Sequence, residues 1–249
     1  MNRRRAVYIL PNLFTTVNLA AGFYSILLAK DGKWLYAAWV IMLAVLFDNL
    51  DGKIARLTHT ESQFGVEYDS LSDLVSFGVA PAFLVYTYVL KDFGRLGIIA
   101  SFLFLICGAL RLARFNVQTT QKEFFTGLPI PGGAAVVASI ILLFLKYNIN
   151  SHRFDVLFLI VLYILAFLMI SPIKYRSFKK ASTNKTISIR IFALIILGLS
   201  LVVFKPYIFI PAIAFIYMLS GPTEYALKAL KIVKRENRGV IYEQKDNNL

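Results

Sequence analysis

The 249-residue chain is 58% hydrophobic and 16% charged, with a mean hydropathy of +0.66; this excludes an ordinary soluble domain and points to a polytopic membrane protein. Its formal charge of +13 is scattered between apolar runs rather than gathered in one basic module, which argues against nucleic acid as a partner. The single cysteine, Cys107, excludes an internal disulfide framework or a cysteine-based zinc site.

Crossing roughly 30 Å of hydrocarbon takes about 20 apolar residues per helix. On that ruler eight spans are expected, near 9–29, 35–57, 68–90, 95–115, 131–148, 154–173, 187–204 and 207–227. The first resembles a signal peptide, but it carries Asn12, Thr15, Thr16 and Asn18 and no small-residue cleavage site follows. It reads as an uncleaved span whose polar residues face the bundle interior. The second span ends, and the third begins, in the stretch DNLDGKIARLTHTESQFGVEYDSLSD, residues 48–73. The fourth ends in LRLARFN (110–116), ahead of the Gly/Pro-rich connection FTGLPIPGGAA (125–135). Cys107, inside the fourth span, reads as packed core. The last two spans read as a hairpin broken at Lys205-Pro206, because proline cannot continue a helix ladder. The expected fold is therefore an all-α membrane bundle. Residues 1–227 form one catalytic domain, and 228–249 a polar tail that extends as a short helix.

Orientation follows from the cations. Arg3, Arg4, Arg5, Lys53, Arg56, Arg111, Arg114, Lys122 and the Lys and Arg of 174–190 and 228–245 all fall on one side of an even-numbered bundle; these are most of the 27 in the chain. The positive-inside rule puts that side, both termini and the 48–73 stretch in the cytoplasm. Trp34 and Tyr36 fall at the opposite end of the second span, where interfacial aromatics are expected.

Ionisable groups this close to hydrocarbon mark a functional site by default. Asp48 and Asp51 are three apart and share a helix face; Asp69 and Asp73 are four apart and share another. Four converging carboxylates repel unless a cation neutralises them, and oxygen-only ligation suits Mg²⁺, Mn²⁺ or Ca²⁺. Two such ions about 3.5–4 Å apart would clamp a phosphoryl displacement. Gly52 and Gly65 leave room for a bulky anion or a neighbouring helix, and Arg56 has the fork geometry for phosphate. Ser70-x-x-Asp73 also has the form of a capping box, which accounts for one acid but not for four at these spacings. Lys53 reads as a snorkelling residue, Glu67 as facing the headgroups, and His59 and His152 as loop residues.

Residues Asp48 to Asp73 fit D-x2-D-G-x2-A-R-x8-G-x3-D-x3-D without deviation, a pattern that resembles the signature of the CDP-alcohol phosphatidyltransferases. The resemblance implies an integral membrane enzyme that moves a phosphatidyl group from CDP-diacylglycerol to an alcohol, works among membrane lipids and forms a homodimer. It implies that Asp48, Asp51 and Asp69 are metal ligands, and that Asp73 contributes to the metal site and acts as the base. Gly52, Ala55 and Arg56 would line the cytidine-diphosphate pocket, and Asn18 would lie against the nucleotide. LRLARFN followed by FTGLPIPGGAA looks like the branch of that family whose acceptor is serine, although Gly132-Gly133 stands where an alanine-rich continuation is more usual. Serine is a zwitterion, so Arg111 or Arg114 would hold its carboxylate and Asn116 would accept from its ammonium. Glycerol phosphate or inositol phosphate is the alternative acceptor. In a different functional class, the acids would be coupling-ion ligands of a transporter, a reading that internal repeats and midplane acids would favour. No repeat is visible, and these acids lie at one face.

Overall fold

In the computed structural model the first helix, α1, runs from Arg3 to Lys30. The backbone is described over residues 3–58, 62–117, 124–176 and 189–246; the side chains of 1–11, 51–61, 118–125, 152, 174, 176–195 and 229–249 lie outside the described set. α1 ends in a tight Schellman turn. Gly32 takes φ +73°, its N–H donates to the Ala29 carbonyl (3.2 Å) and that of Lys33 to Leu28 (2.9 Å); the left-handed position is one glycine fills without a Cβ penalty. The turn sends α2 (Trp34–Thr58) back antiparallel along α1.

The third apolar segment starts five residues earlier than hydropathy alone suggests. Ser62 caps α3 (Gln63–Asp73), accepting from the Gly65 N–H at 3.0 Å, so an N-terminal donor is satisfied before the chain enters the apolar layer. The helix then widens into a π-helical turn, Leu74–Val79, and continues as α4 (Ala80–Tyr88). Beyond a 3₁₀ turn follow α5 (Arg95–Val117), α6 (Ile130–Lys146) and α7 (Asp155–Ile170). α8 (Ile189–Phe204) and α9 (Pro206–Asp246) complete the chain, with the break at Lys205-Pro206 where it is expected. α9 passes residue 228 without interruption.

Helices thus stand at all eight expected spans. Among the described residues, Asn12–Lys30, Gln63–Tyr88, Arg95–Val117 and Pro206–Lys228 are long and apolar enough to cross a membrane, while Trp34–Leu50, Ile130–Lys146 and Asp155–Ile170 are shorter apolar helices. One face of α5 exposes Leu96, Ile99, Phe102, Ile106 and Leu110, while Ala100, Phe104, Cys107, Gly108 and Arg111 are buried on the other. An outward apolar stripe of that length suits lipid as its solvent.

The structure adds one element to the all-α expectation. β1 (Phe124–Thr126) pairs antiparallel with β2 (Lys174–Arg176) in a minimal ladder. The pairing runs on through Gly127 N–H to Ile173 (2.8 Å) and Leu128 N–H to Leu168 (2.9 Å). Gly127 sits at φ +82°, and a Cβ there would run into the Met169 carbonyl. The Gly/Pro-rich connection is therefore a buried strap, with Leu128 and Ile130 fully enclosed, rather than a solvated loop. At the far end of the bundle Trp34, Tyr88, Phe158, Phe144 and Phe154 pack edge to face. Trp34 is half-buried in that cluster, and Tyr36 is exposed.

Candidate active site

The site is assembled where α1 crosses the junction between α3 and the π turn. Ser72 Oγ donates to the Thr15 carbonyl (3.0 Å) and Ser76 Oγ to the Asn18 carbonyl (2.8 Å), so two serines four residues apart bracket Asp73. Gly22 lets the backbones meet: a Cβ there would collide with Ser76 Oγ and Cα. Small residues and interhelical hydrogen bonds are how helices associate where hydrophobicity supplies no drive. The crossing puts Asn18, fully buried, within reach of the acids, and its Nδ2 donates to Asp73 Oδ1 at 3.2 Å. The π turn begins immediately after Asp73, and such turns recur at functional sites.

Asp48 comes from α2 and Asp69 and Asp73 from α3; one oxygen of each lies within 4.8 Å of the others. Asp48 touches Asp73 and acts electrostatically on Asp69 and Arg111. Carboxyl groups this close must share a proton or surround a cation. Asp69 Oδ1 is buried without a hydrogen-bond partner, as is Asn18 Oδ1. Three oxygen donors with an orphaned acceptor among them fit a divalent cation.

The two candidate arginines separate. Arg111 is buried, with its guanidinium in the field of Asp73, Tyr217 and Asp48, and its Nε is without a partner. Arg114 is exposed and donates from Nη1 to the Ile170 carbonyl at 3.0 Å, tying α5 to the last turn of α7. Asn116 is tied to α3. Its Nδ2 donates to Glu67 Oε2 (3.1 Å) and Ser70 Oγ (3.1 Å), a brace between α5 and α3. Gly65 is half-buried near the start of α3, where a Cβ would come within 3.1 Å of Ser62 Oγ and 3.5 Å of Asn12 Oδ1. It lies at a helix cap and a helix contact. Asp51, Gly52, Ala55 and Arg56 continue α2 beyond Asp48, and their side chains lie outside the described residues.

Sequence reasoning passes over Gly22, Ser72, Ser76 and Tyr217. The small-residue series Ser72, Ser76, Ala80, at intervals of four, is a readable sign of a close helix crossing. No comparable signal points to Tyr217.

Known proteins share this chain's pattern. The sequence model described as CDP-alcohol phosphatidyltransferase matches residues 8–171. A CDP-diacylglycerol–serine O-phosphatidyltransferase of Helicobacter pylori strain 26695 is 38% identical over 234 residues, covering 93% of this chain and 97% of the relative. An archaetidylserine synthase of Methanothermobacter thermautotrophicus is 41% identical over 168 residues, 67% of this chain and 69% of the relative. A CDP-diacylglycerol–serine O-phosphatidyltransferase of Mycobacterium leprae is 34% identical, covering 88% of this chain and 76% of the relative.

Proposed function

Because the chain belongs to the CDP-alcohol phosphatidyltransferase family, we propose that it transfers a phosphatidyl group from CDP-diacylglycerol to the hydroxyl of serine, yielding phosphatidylserine and CMP. The observation that carries the reading is the buried Arg111 set against the Asp48, Asp69 and Asp73 cluster: one cation and three acids side by side, as an anionic donor and a zwitterionic acceptor require. The names of the relatives support serine over glycerol phosphate or inositol phosphate.

Asp48, Asp51, Asp69 and Asp73 would hold one or two divalent ions, Mg²⁺ or Mn²⁺. Bound there, a divalent ion supplies positive charge to the diphosphate and polarises the phosphorus under attack. The chain's own groups do the rest. Gly52, Ala55, Gly65 and Arg56 line the path of the nucleotide diphosphate. Arg111 receives the serine carboxylate through a charge-assisted bond, for which its unpartnered Nε is available. Asn18 holds Asp73 at Oδ1 from behind, and the carboxylate so oriented takes the serine hydroxyl proton. As that proton leaves, the serine oxygen bonds to the phosphatidyl phosphorus, the bond from phosphorus to the CMP oxygen breaks, and CMP departs with the electron pair. Arg114 and Asn116 act as braces, a narrower role than their place in the LRLARFN segment implies.

The excess of Lys and Arg at one pole supports eight crossings with both termini and the site on the cytoplasmic side of the cytoplasmic membrane, a catalytic unit over 1–227 and a cytoplasmic tail over 228–249. The family resemblance adds a homodimer, which light scattering on detergent-solubilised protein tests. The deciding experiment is CMP release from CDP-diacylglycerol by purified protein, with serine, glycerol phosphate and inositol phosphate offered in turn. Release with serine alone is expected; release with glycerol phosphate but not serine overturns the assignment.

A further inference from the structure

The family match ends at Ile170 and Ser171, yet the elements beyond it reach back into the site. α9 packs along α6 and is tied to β2. At its start Tyr207 packs edge to face with Trp39 (5.8 Å) and lies under Lys146 (5.2 Å). Ten residues later Tyr217 arrives beside Arg111, and the two groups lie within each other's electrostatic field.

Two features hold Tyr217 there, a seated Tyr175 and Gly132. Pro222 stands inside α9 and has no N–H, so the Met218 carbonyl four residues earlier has no helical donor. Tyr175 Oη donates to that carbonyl at 2.9 Å and closes the gap. Tyr175 is fully buried, and burial, followed by the neighbouring Tyr217, pushes its phenol up to about 12, so it remains a donor. Gly221 makes room for it, since a Cβ there would enter the Tyr175 ring. The Tyr175 and Tyr217 rings then meet at 5.8 Å. Gly132 also receives Tyr217: a Cβ would come within 3.1 Å of Cε1. Gly132 belongs to the Gly-Gly pair at which this chain departs from the alanine-rich continuation its family resemblance implies. The departure inside the matched region and the aromatic ring from outside it fit one another.

We propose that Tyr217 is a positioning residue of the acceptor site: its ring and hydroxyl, seated on Gly132 and locked by Tyr175, hold the Arg111 guanidinium in the orientation that receives the acceptor's carboxylate. The assignment rests on the serine reading above.

The test compares full-length wild type with Tyr217→Phe and Tyr175→Phe, measuring CMP release while serine and CDP-diacylglycerol are varied separately. Tyr217→Phe keeps the ring and removes one hydrogen-bonding group next to a charged one, so the KM for serine should rise roughly tenfold. Its kcat and its KM for CDP-diacylglycerol should stay within about twofold. Tyr175→Phe should shift the serine KM in the same direction by less. A merely structural role would lower activity without that split, and so overturns the proposal, as does an unchanged serine KM in Tyr217→Phe. Should Tyr217→Phe not purify in folded form, Tyr175→Phe decides alone, since it leaves the Tyr217 hydroxyl in place and removes only its anchor: a raised serine KM supports the proposal, and an unchanged one overturns it. A wild type that releases no CMP with serine overturns the acceptor reading, and this assignment with it. A serine-active wild type with an insensitive Tyr217→Phe overturns the assignment alone.

Discussion

The acid cluster and the Arg111–Tyr217 corner adjoin each other but are built by different means. The acids hang on neighbouring elements near the start of the chain, α2 and α3, locked by a hydrogen-bonded crossing with α1 in which Gly22 and Ser76 bring two backbones together. The arginine corner gathers α5, the head of α6, β2 and α9, from widely separated parts of the sequence. Backbone contact sets the first, and aromatic packing into glycine-made spaces sets the second. The first arrangement is stiff and suits a reaction centre whose geometry cannot drift. The second can change by substitution of one ring, which suits the choice of an acceptor.

Substitutions should separate the two. Asp69→Asn removes a charge from the carboxylate whose Oδ1 has no protein partner, and CMP release should fall by roughly a thousandfold while the protein still elutes as folded material. Stripping divalent ions with a chelator should abolish release in the same assay, with Mg²⁺ or Mn²⁺ restoring it; full activity in chelator would contradict the cation reading of the cluster. Arg111→Ala strikes the other corner: the serine KM should climb roughly ten- to a hundredfold, with CDP-diacylglycerol dependence much less altered. Equal effects on both substrates would dissolve the distinction between the two halves. Gly22→Leu tests the crossing itself. Overpacking against Ser76 should lower stability by about 1–3 kcal/mol, read as a drop in thermal unfolding temperature in detergent, and should lower turnover along with it. The smallest effect is expected from Arg114→Ala, which loses one bond to the Ile170 carbonyl: about 1 kcal/mol of stability and an unchanged serine KM. A large serine effect there would return the carboxylate role to Arg114.

Much of the acid half is legible in the chain because its chemistry is local. Asp48, Asp69 and Asp73 announce themselves by charge beside hydrocarbon, and the interval of four puts Asp69 and Asp73 on one helix face. Family resemblance sets Asn18 against a nucleotide; the structure adds its bond to Asp73, a neighbour that one polar residue in an apolar span does not by itself name. Arg111 and Arg114 are equivalent in sequence, three residues apart near a helix end. Only the rotation of α5 against α7 buries one and spends the other on a carbonyl. The Gly/Pro connection is a strap rather than a loop because its backbone pairs with residues from 168 to 176.

The sequence by itself determined the membrane class, the places of the helices and the acid motif. Each follows from the cost of putting a particular side chain or peptide group in hydrocarbon, which is a property of the residue and its near neighbours. The tertiary structure alone decided which arginine joins the acids, that a tyrosine from α9 stands beside it, and that a π turn follows Asp73. Those depend on how helices rotate and how closely they approach. That is settled by contacts such as Gly22 with Ser76 and Gly132 with Tyr217, between residues that only folding makes neighbours.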